Sequence, residues 1–436
     1  MTKNFIQQAT QTVSFKLGVI AFLALILLIP AQMIRSLVEE RQMRRDEVVQ
    51  ELTKKLGKKQ TITGPILSVP YRTYQSDGDG ESKAIWHHMH FLPETLNVQG
   101  NLSADIHYRS IYKVIGYNSR LEFKGRFTGI DIDDGFINPE DIFWERASLS
   151  LGISDMRGIN ENIAIEWDQQ THPFSPGLPT RDVVQKGVSI PLSVQPRQTH
   201  EFSFAVDLNG SESLHIVPVG SKTNIRLQSQ WDAPGFTGAY LPDERNVTDD
   251  GFTARWKVLE LNRSYPQSWA DSQYTLEESA LGVDLIMPVD IYRKNMRSVK
   301  YALLFIALTF VVFFFTEYLN DRRVHPIHYL LAGFGIVLFY SLLLSLSEHL
   351  AFGLSYLIAS AAIVALITSY FHAIIGKVRA TLSVLGILAG LYGFLYVLLS
   401  AYDYSLLLGN IGLFIILAIV MFFSRKINWE KSAAEG

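Results

Sequence analysis

The sequence predicts a multi-pass α-helical membrane protein with six spans, one N-terminal and five in a C-terminal bundle, and a large β-rich, sandwich-like domain inserted between them. Three observations predict it. The first is uneven charge. The 436 residues are 48% hydrophobic and 19% charged, yet between Tyr301 and Ser424 the only charged residues are Glu317, Asp321, Arg322, Arg323, Glu348, Lys377, Arg379 and Asp403. The second is six apolar runs long enough to span a bilayer, which needs about 20 residues per helix. The third is a long middle stretch of short polar–apolar alternations broken by Gly, Asp, Asn and Pro, the pattern of half-buried strands.

The first span runs from about Leu17 to Ile34 between Lys16 and Arg35. Its apolar run is longer than a signal-peptide core and no small-x-small site follows, so an uncleaved anchor is expected. The others are about Ser298–Glu317, Ile327–Leu346, Phe352–Ile375, Thr381–Ser400 and Leu406–Phe423, joined by loops of a few residues. Short loops carrying Lys and Arg mark the cytoplasmic side. Arg322 and Arg323, then Lys377 and Arg379, then Arg425, Lys426 and Lys431 fall in alternate connections; those with Glu348-His349 and Asp403 hold no Lys or Arg. Both termini are therefore expected in the cytoplasm and the inserted domain in the periplasm. Arg35, Arg41, Arg44 and Arg45, and Arg293, Lys294, Arg297 and Lys300, oppose this reading, but long translocated domains obey the charge rule poorly.

The expected domains are 1–35, the tail and first span; 36–297, the periplasmic domain; 298–424, the five-helix bundle; and 425–436, a cytoplasmic tail. Within the second, residues 36–56 read as a stalk helix with Val38, Val48, Val49, Leu52 and Leu56 on a loose apolar stripe. From Ile62 onward the pattern is β. Glu201 to Leu208, Thr223 to Gln228 and Phe252 to Val258 alternate most cleanly. Two lobes are expected, about 60–150 and 180–285, joined through Thr171 to Arg181.

A net charge of -3 leaves no basic excess for general nucleic-acid binding. With no cysteine, disulfide scaffolding, thiol catalysis and cysteine–metal sites are excluded. No G-x-S-x-G, H-E-x-x-H or phosphate-loop signature occurs; Gly220-Ser221-Lys222-Thr223 lacks the upstream Gly and reads as a polar turn. His87, His88 and His90 lie in Trp-His-His-Met-His. On a strand His88 and His90 share a face, but no third ligand is identifiable, and a solvent-facing strand is expected. The acidic groups Asp77, Asp79 and Glu81, and Asp131, Asp133 and Asp134, read as surface turns. No metal and no cofactor are expected.

Trp231 to Pro242 packs two prolines, two glycines and three aromatics into a tight loop of twelve residues. Trp231, Pro234, Phe236 and Tyr240 form a candidate partner-binding loop, or else a packed corner of the sandwich. Glu317, Glu348 and His349 are candidate functional residues at the membrane edge, since intramembrane ionisable groups often mark ion or substrate paths. Gly386, Gly390 and Gly393 permit close helix approach within the bundle.

Several stretches resemble the CreD family of bacterial inner-membrane proteins across nearly the whole chain: Gly64-Pro65-Ile66-Leu67-Ser68-Val69-Pro70-Tyr71, Phe91-Leu92-Pro93-Glu94, Tyr108-Arg109-Ser110-Ile111-Tyr112, the Trp231 to Pro242 segment, Gly251 to Trp256, and above all Gly282 to Tyr292 leading through Lys300 to Glu317. Leu342 to His349 is also similar. Pro234-Gly235-Phe236 departs from the family's Pro-Ser-Phe. The resemblance implies an inner-membrane protein linked to envelope integrity and to the response to envelope stress, including β-lactam exposure; it implies no biochemical activity.

Together these readings predict a non-enzymatic envelope protein that lies in the lipid bilayer and binds an envelope protein, lipid or glycan through its periplasmic domain, with no nucleic-acid partner. The alternatives are a transporter or flippase of a lipid-linked or small polar molecule, and a periplasmic glycan- or peptidoglycan-acting enzyme, for which Asp284 and Asp290 are the loosest of candidates.

Overall fold

The computed structural model describes residues 13–76, 82–132, 137–287, 291–320, 324–401 and 404–425. The turn at 77–81, Asp133, Asp134, Asp290, Arg322, Arg323, Asp403, Lys426 and Lys431 lie outside the described residues. Two compact units divide the chain, Met1–Asp46 with Val289–Gly436, and Glu47–Pro288.

The first unit is helical. Helices α1 (Val13–Ile26) and α2 (Leu28–Leu56) carry the first span. The interruption at Leu27 has a local cause: Pro30 has no N–H to offer the Ile26 carbonyl. Hydrogen bonds from Leu27 to the Leu23 carbonyl and from Ala31 to the Leu27 carbonyl carry the helix through, so Phe15–Leu56 is one long rod with an apolar first half and a charged second half. Helix α3 (Ile291–Lys300) is short and amphipathic, burying Tyr292, Asn295, Ser298 and Val299. The second span is α4 (Ala302–Leu319), which starts later than composition suggests because the basic residues before it form the separate α3. Then follow α5 (Pro326–Ser347), α6 (Phe352–Ile375), α7 (Val378–Ser400) and α8 (Ser405–Ser424). Among the described residues, α4 to α8 and the N-terminal rod make six helices long and apolar enough to cross a membrane.

Small residues pack this unit, though not where the G-x-x-x-G pattern suggests. A side chain at Gly386, Gly390 or Gly393 would meet nothing within 4 Å, so that pattern brings no helices together inside the unit. Gly333 of α5 instead lets Leu27 of the first span settle against it, where any Cβ would collide with the leucine.

Among its described residues the second unit holds seventeen strands. In chain order they are β1 (Gln60–Ser76), β2 (Ser82–Phe91), β3 (Thr95–Arg109), β4 (Tyr112–Phe127), β5 (Ala147–Ile153), β6 (Ala164–Trp167), β7 (Gln170–Pro173), β8 (Ser175–Pro176) and β9 (Gly187–Leu192), followed by β10 (His200–Ser211), β11 (Ser213–Val217), β12 (Lys222–Ser229), β13 (Pro234–Gly238), β14 (Glu244–Thr248), β15 (Gly251–Leu259), β16 (Ser268–Ala270) and β17 (Leu281–Leu285). They form two sheets. One runs β13-β17-β11-β1-β5-β9-β8, with β2 also on β1 and β16 on β2; the other runs β14-β15-β12-β3-β4-β10-β6-β7.

The two expected lobes do not exist. β1 pairs in parallel with β11, Gln60 opposite Leu214, and β12 in parallel with β3, Lys222 opposite Thr95. Both sheets thus mix early and late strands over one continuous apolar core. Phe123 and Phe204 stack at 4.7 Å and Trp256 is fully buried. Alternation creates this core: β12 buries Thr223, Ile225, Leu227 and Ser229 and turns Lys222, Asn224, Arg226 and Gln228 outward.

Candidate functional site

The outward residues of four adjacent strands make a polar groove of about 710 Å³ on the second sheet. β3 contributes Asn97 and Gln99, β12 contributes Lys222, Asn224 and Arg226, β15 contributes Thr253, Arg255 and Lys257, and the edge strand β14 contributes Glu244, Arg245 and Asn246. Register sets the neighbours. Asn97 lies opposite Asn224, and Gln99 opposite Arg226. The Asn224 amide donates to the Asn97 carbonyl oxygen at 3.0 Å, which fixes both side chains. Arg226 lies directly opposite Arg255, and Asn224 opposite Lys257.

Like charges directly opposite on neighbouring strands destabilise a sheet. Among the described residues, the carboxylate that relieves the Arg226–Arg255 pair is Glu244, 3.7 Å from Arg255. Five basic side chains face one carboxylate in this groove, although the whole chain is net acidic. Such a surface suits an anionic ligand with hydroxyl and amide groups, because planar amides donate and accept while guanidinium groups fork onto carboxylate or phosphate. No aromatic ring lines it, so stacking is not available. Sequence reading passed over these residues because each strand alone shows only ordinary alternation. Lys222 belongs to a polar turn in which the Gly220 amide donates to the Thr223 hydroxyl at 2.9 Å.

The aromatic segment forms the edge strand β13 and the corner that carries the chain from one sheet to the other. Pro234 lies opposite Leu285 on β17. The Trp231 indole N–H donates to the carbonyls of Ala233 (3.2 Å) and Ile286 (3.3 Å). Phe236 packs edge-on against Phe252 and Trp256. The Tyr240 hydroxyl donates to the Asn262 carbonyl at 2.7 Å, and the Tyr240 carbonyl accepts from the Trp256 indole at 3.2 Å. These polar atoms are engaged within the unit, in the manner of a packed corner. Leu241 beyond them is exposed.

The histidine strand β2 does not simply face solvent. His90 is fully buried, with Nδ1 2.8 Å from the Ser68 hydroxyl. His88 Nδ1 and His90 Nε2 lie 3.6 and 3.5 Å from the same carboxylate oxygen of Asp182. His87 Nδ1 is 2.6 Å from Asp271. Burial pushes the His90 imidazole down to about 4, with Asp182 pulling the other way. Contacts with His87 and the His88 amide hold Asp271 below the usual carboxylate range against the opposing effect of burial. Among the described residues no three His, Asp or Glu side chains are grouped to hold a metal. Asp284, opposite Ser213 on β11, lies 3.7 Å from the diagonal neighbour His215.

In the helical unit Glu317 is buried at the end of α4. It pairs with Lys16 of α1 and accepts hydrogen bonds from the Tyr329 hydroxyl and the Val324 amide, both at 2.9 Å. Glu348, just past α5, accepts from the Tyr292 hydroxyl at 3.2 Å and lies 4.0 Å from Arg41 of α2. Lys16 and Arg41 are 25 residues apart, about 37 Å along a helix, close to bilayer thickness. Glu317 therefore ties the start of the N-terminal rod to the bundle, and Glu348 makes a looser, longer contact with it at Arg41. His349 is exposed, its backbone amide donating to the Leu346 carbonyl.

The family model of the inner membrane protein CreD matches residues 12–430. The chain is 33% identical over 414 residues to inner membrane protein CreD of Escherichia coli (strain K12), covering 93% of this chain and 91% of that one. Among solved structures, a "putative nutrient binding protein" of Legionella pneumophila aligns with 8% identity and a TM-score of 0.24, over 56% of this chain and 80% of that one.

Proposed function

The chain belongs to the CreD family of inner membrane proteins, and from that membership we propose that it supports envelope integrity by holding its β-rich unit in the periplasm, where the groove on β3, β12, β15 and β14 binds an acidic glycan of the envelope. The observation that carries this reading is the Arg226–Arg255 pair. A sheet gains nothing structural from opposed arginines, and an anion lying between them removes the repulsion. The surrounding amides of Asn97, Gln99, Asn224 and Asn246 match the hydroxyl and acetamido groups of a sugar polymer, and the basic residues match its carboxylates. The packed corner of Trp231, Pro234, Phe236 and Tyr240 has the role of holding the chain that enters β14, one wall of the groove. Glu317 and Glu348 serve as anchors of the first span rather than as stations on a transport path.

Orientation is supported by Lys377, between α6 and α7, and Arg379 in the first turn of α7. In a chain without native cysteine, a single Asp249→Cys substitution should react with a membrane-impermeant maleimide in spheroplasts, and Lys377→Cys should not; the reverse pattern would place the β-rich unit in the cytoplasm. The binding role predicts that the double variant Arg226→Gln/Arg255→Gln, present in membranes at the normal level, fails to complement an envelope-stress phenotype. Full complementation by that variant would remove the groove from consideration.

A further inference from the structure

Beside the first span lies a second groove, wholly within the helical unit. It has a volume of about 710 Å³ and runs between α2 and the α3–α4 junction, lined by Leu28, Ile29, Gln32, Met33, Val299 and Leu303, with Arg35 and Lys300 among its walls. Its floor is apolar: Ile29, Met33 and Leu303 are exposed to whatever fills it. Arg35 ends the apolar run of the first span and Lys300 immediately precedes the second, so both cations stand at one membrane edge, where headgroups lie. Among the described residues Arg35 is held by Glu39 through its Nε, at 3.1 Å, which leaves both terminal nitrogens to donate. Lys300 is exposed and has no carboxylate partner among the described residues.

We propose that this groove binds an anionic glycerophospholipid, its phosphate between Arg35 and Lys300 and one acyl chain along Ile29, Met33 and Leu303. Charge complementarity selects the headgroup, and the apolar floor selects a lipid over a soluble phosphate. The proposal also gives a physical reason for basic residues at the end of the unit from which the chain leaves for the β-rich unit, where the charge rule expects few. It does not depend on the glycan reading, since the two grooves lie in different units.

The test uses the full chain reconstituted in bilayers of phosphatidylethanolamine with a minor fraction of phosphatidylglycerol, followed by mass spectrometry of the lipids that stay bound. The ratio of phosphatidylglycerol to phosphatidylethanolamine should be enriched roughly thirtyfold over the bilayer, as two interfacial cations would produce. Arg35→Gln/Lys300→Gln should bring the enrichment to near one, whereas Arg44→Gln, on the same rod outside the groove, should leave it unchanged. If the double variant does not fold, Ile29→Trp/Met33→Trp keeps both charges, fills the groove and should also abolish the enrichment. No enrichment in the wild type, equal enrichment in these variants, or displacement of phosphatidylglycerol by an equimolar isoprenyl phosphate would overturn the proposal.

Discussion

Arg226 and Arg255 face one another across β12 and β15, and opposed like charges of this kind destabilise a sheet. Arg226→Gln should therefore leave the β-rich unit as stable as before or slightly more so, while it weakens binding. A variant that loses stability and affinity together would make the arginine structural. His90 makes a different prediction. Its folded value of about 4 lies below the unfolded 6.5, so the unfolded chain takes up more protons between those values. Stability present above pH 6.5 is then lost as pH falls towards 4, by up to about 3 kcal/mol. His90→Gln should flatten this part of a thermal-stability profile. An unchanged slope would mean that His90 is not the group responsible. The sequence showed that His88 and His90 share a face. It did not show Asp182 arriving beneath them or Ser68 at their back, because those contacts come from strands and loops distant in sequence.

At the scale of elements, local alternation reveals a strand more readily than it reveals the strand's neighbours. The clean patterns of β10, β12 and β15 were legible, and each half-buried face follows from its own residues. The joining of β1 to β11 was not legible, since parallel pairing across some 150 residues leaves no local mark. For the same reason the groove was invisible until Asn97, Arg226 and Arg255 were placed side by side. The G-x-x-x-G pattern misled because it reports that close approach is permitted and says nothing of whether a partner is present. Gly333, outside any such pattern, is the glycine that makes the contact. The aromatic corner yields a stability test. Phe236 fills the space between Phe252 and Trp256; being only half-buried, it should cost about 2 kcal/mol on truncation to alanine, read as a lower melting temperature. No loss would mean that the corner is dispensable to the fold. Gly238 in the same segment has φ 102°, and a Cβ there would strike the Ala280 carbonyl.

For the molecule as a whole, composition alone separated a charge-poor bundle from a normally charged β-rich region, and hydropathy gave all six spans. What holds the first span was hidden, because Lys16 and Glu317 are 301 residues apart. Removing one member of a largely buried ion pair leaves the other uncompensated, whereas replacing both with apolar groups is often tolerated. Glu317→Gln should therefore lower the thermal stability of the protein in detergent by about 2 kcal/mol, and Lys16→Met/Glu317→Gln, which removes both charges but keeps an acceptor for the Tyr329 hydroxyl and the Val324 amide, should recover it along with function. A double variant that is stable yet inactive would favour the transport alternative. The proposed activity rests most heavily on the groove of the β-rich unit. Its most direct test is co-sedimentation of the purified full-length protein with purified cell-wall sacculi, wild type against Arg226→Gln/Arg255→Gln, at low and raised salt. Salt-sensitive binding by the wild type, reduced at least tenfold in the stable double variant, is the predicted result; equal binding by the two proteins, or none by the wild type, would contradict it.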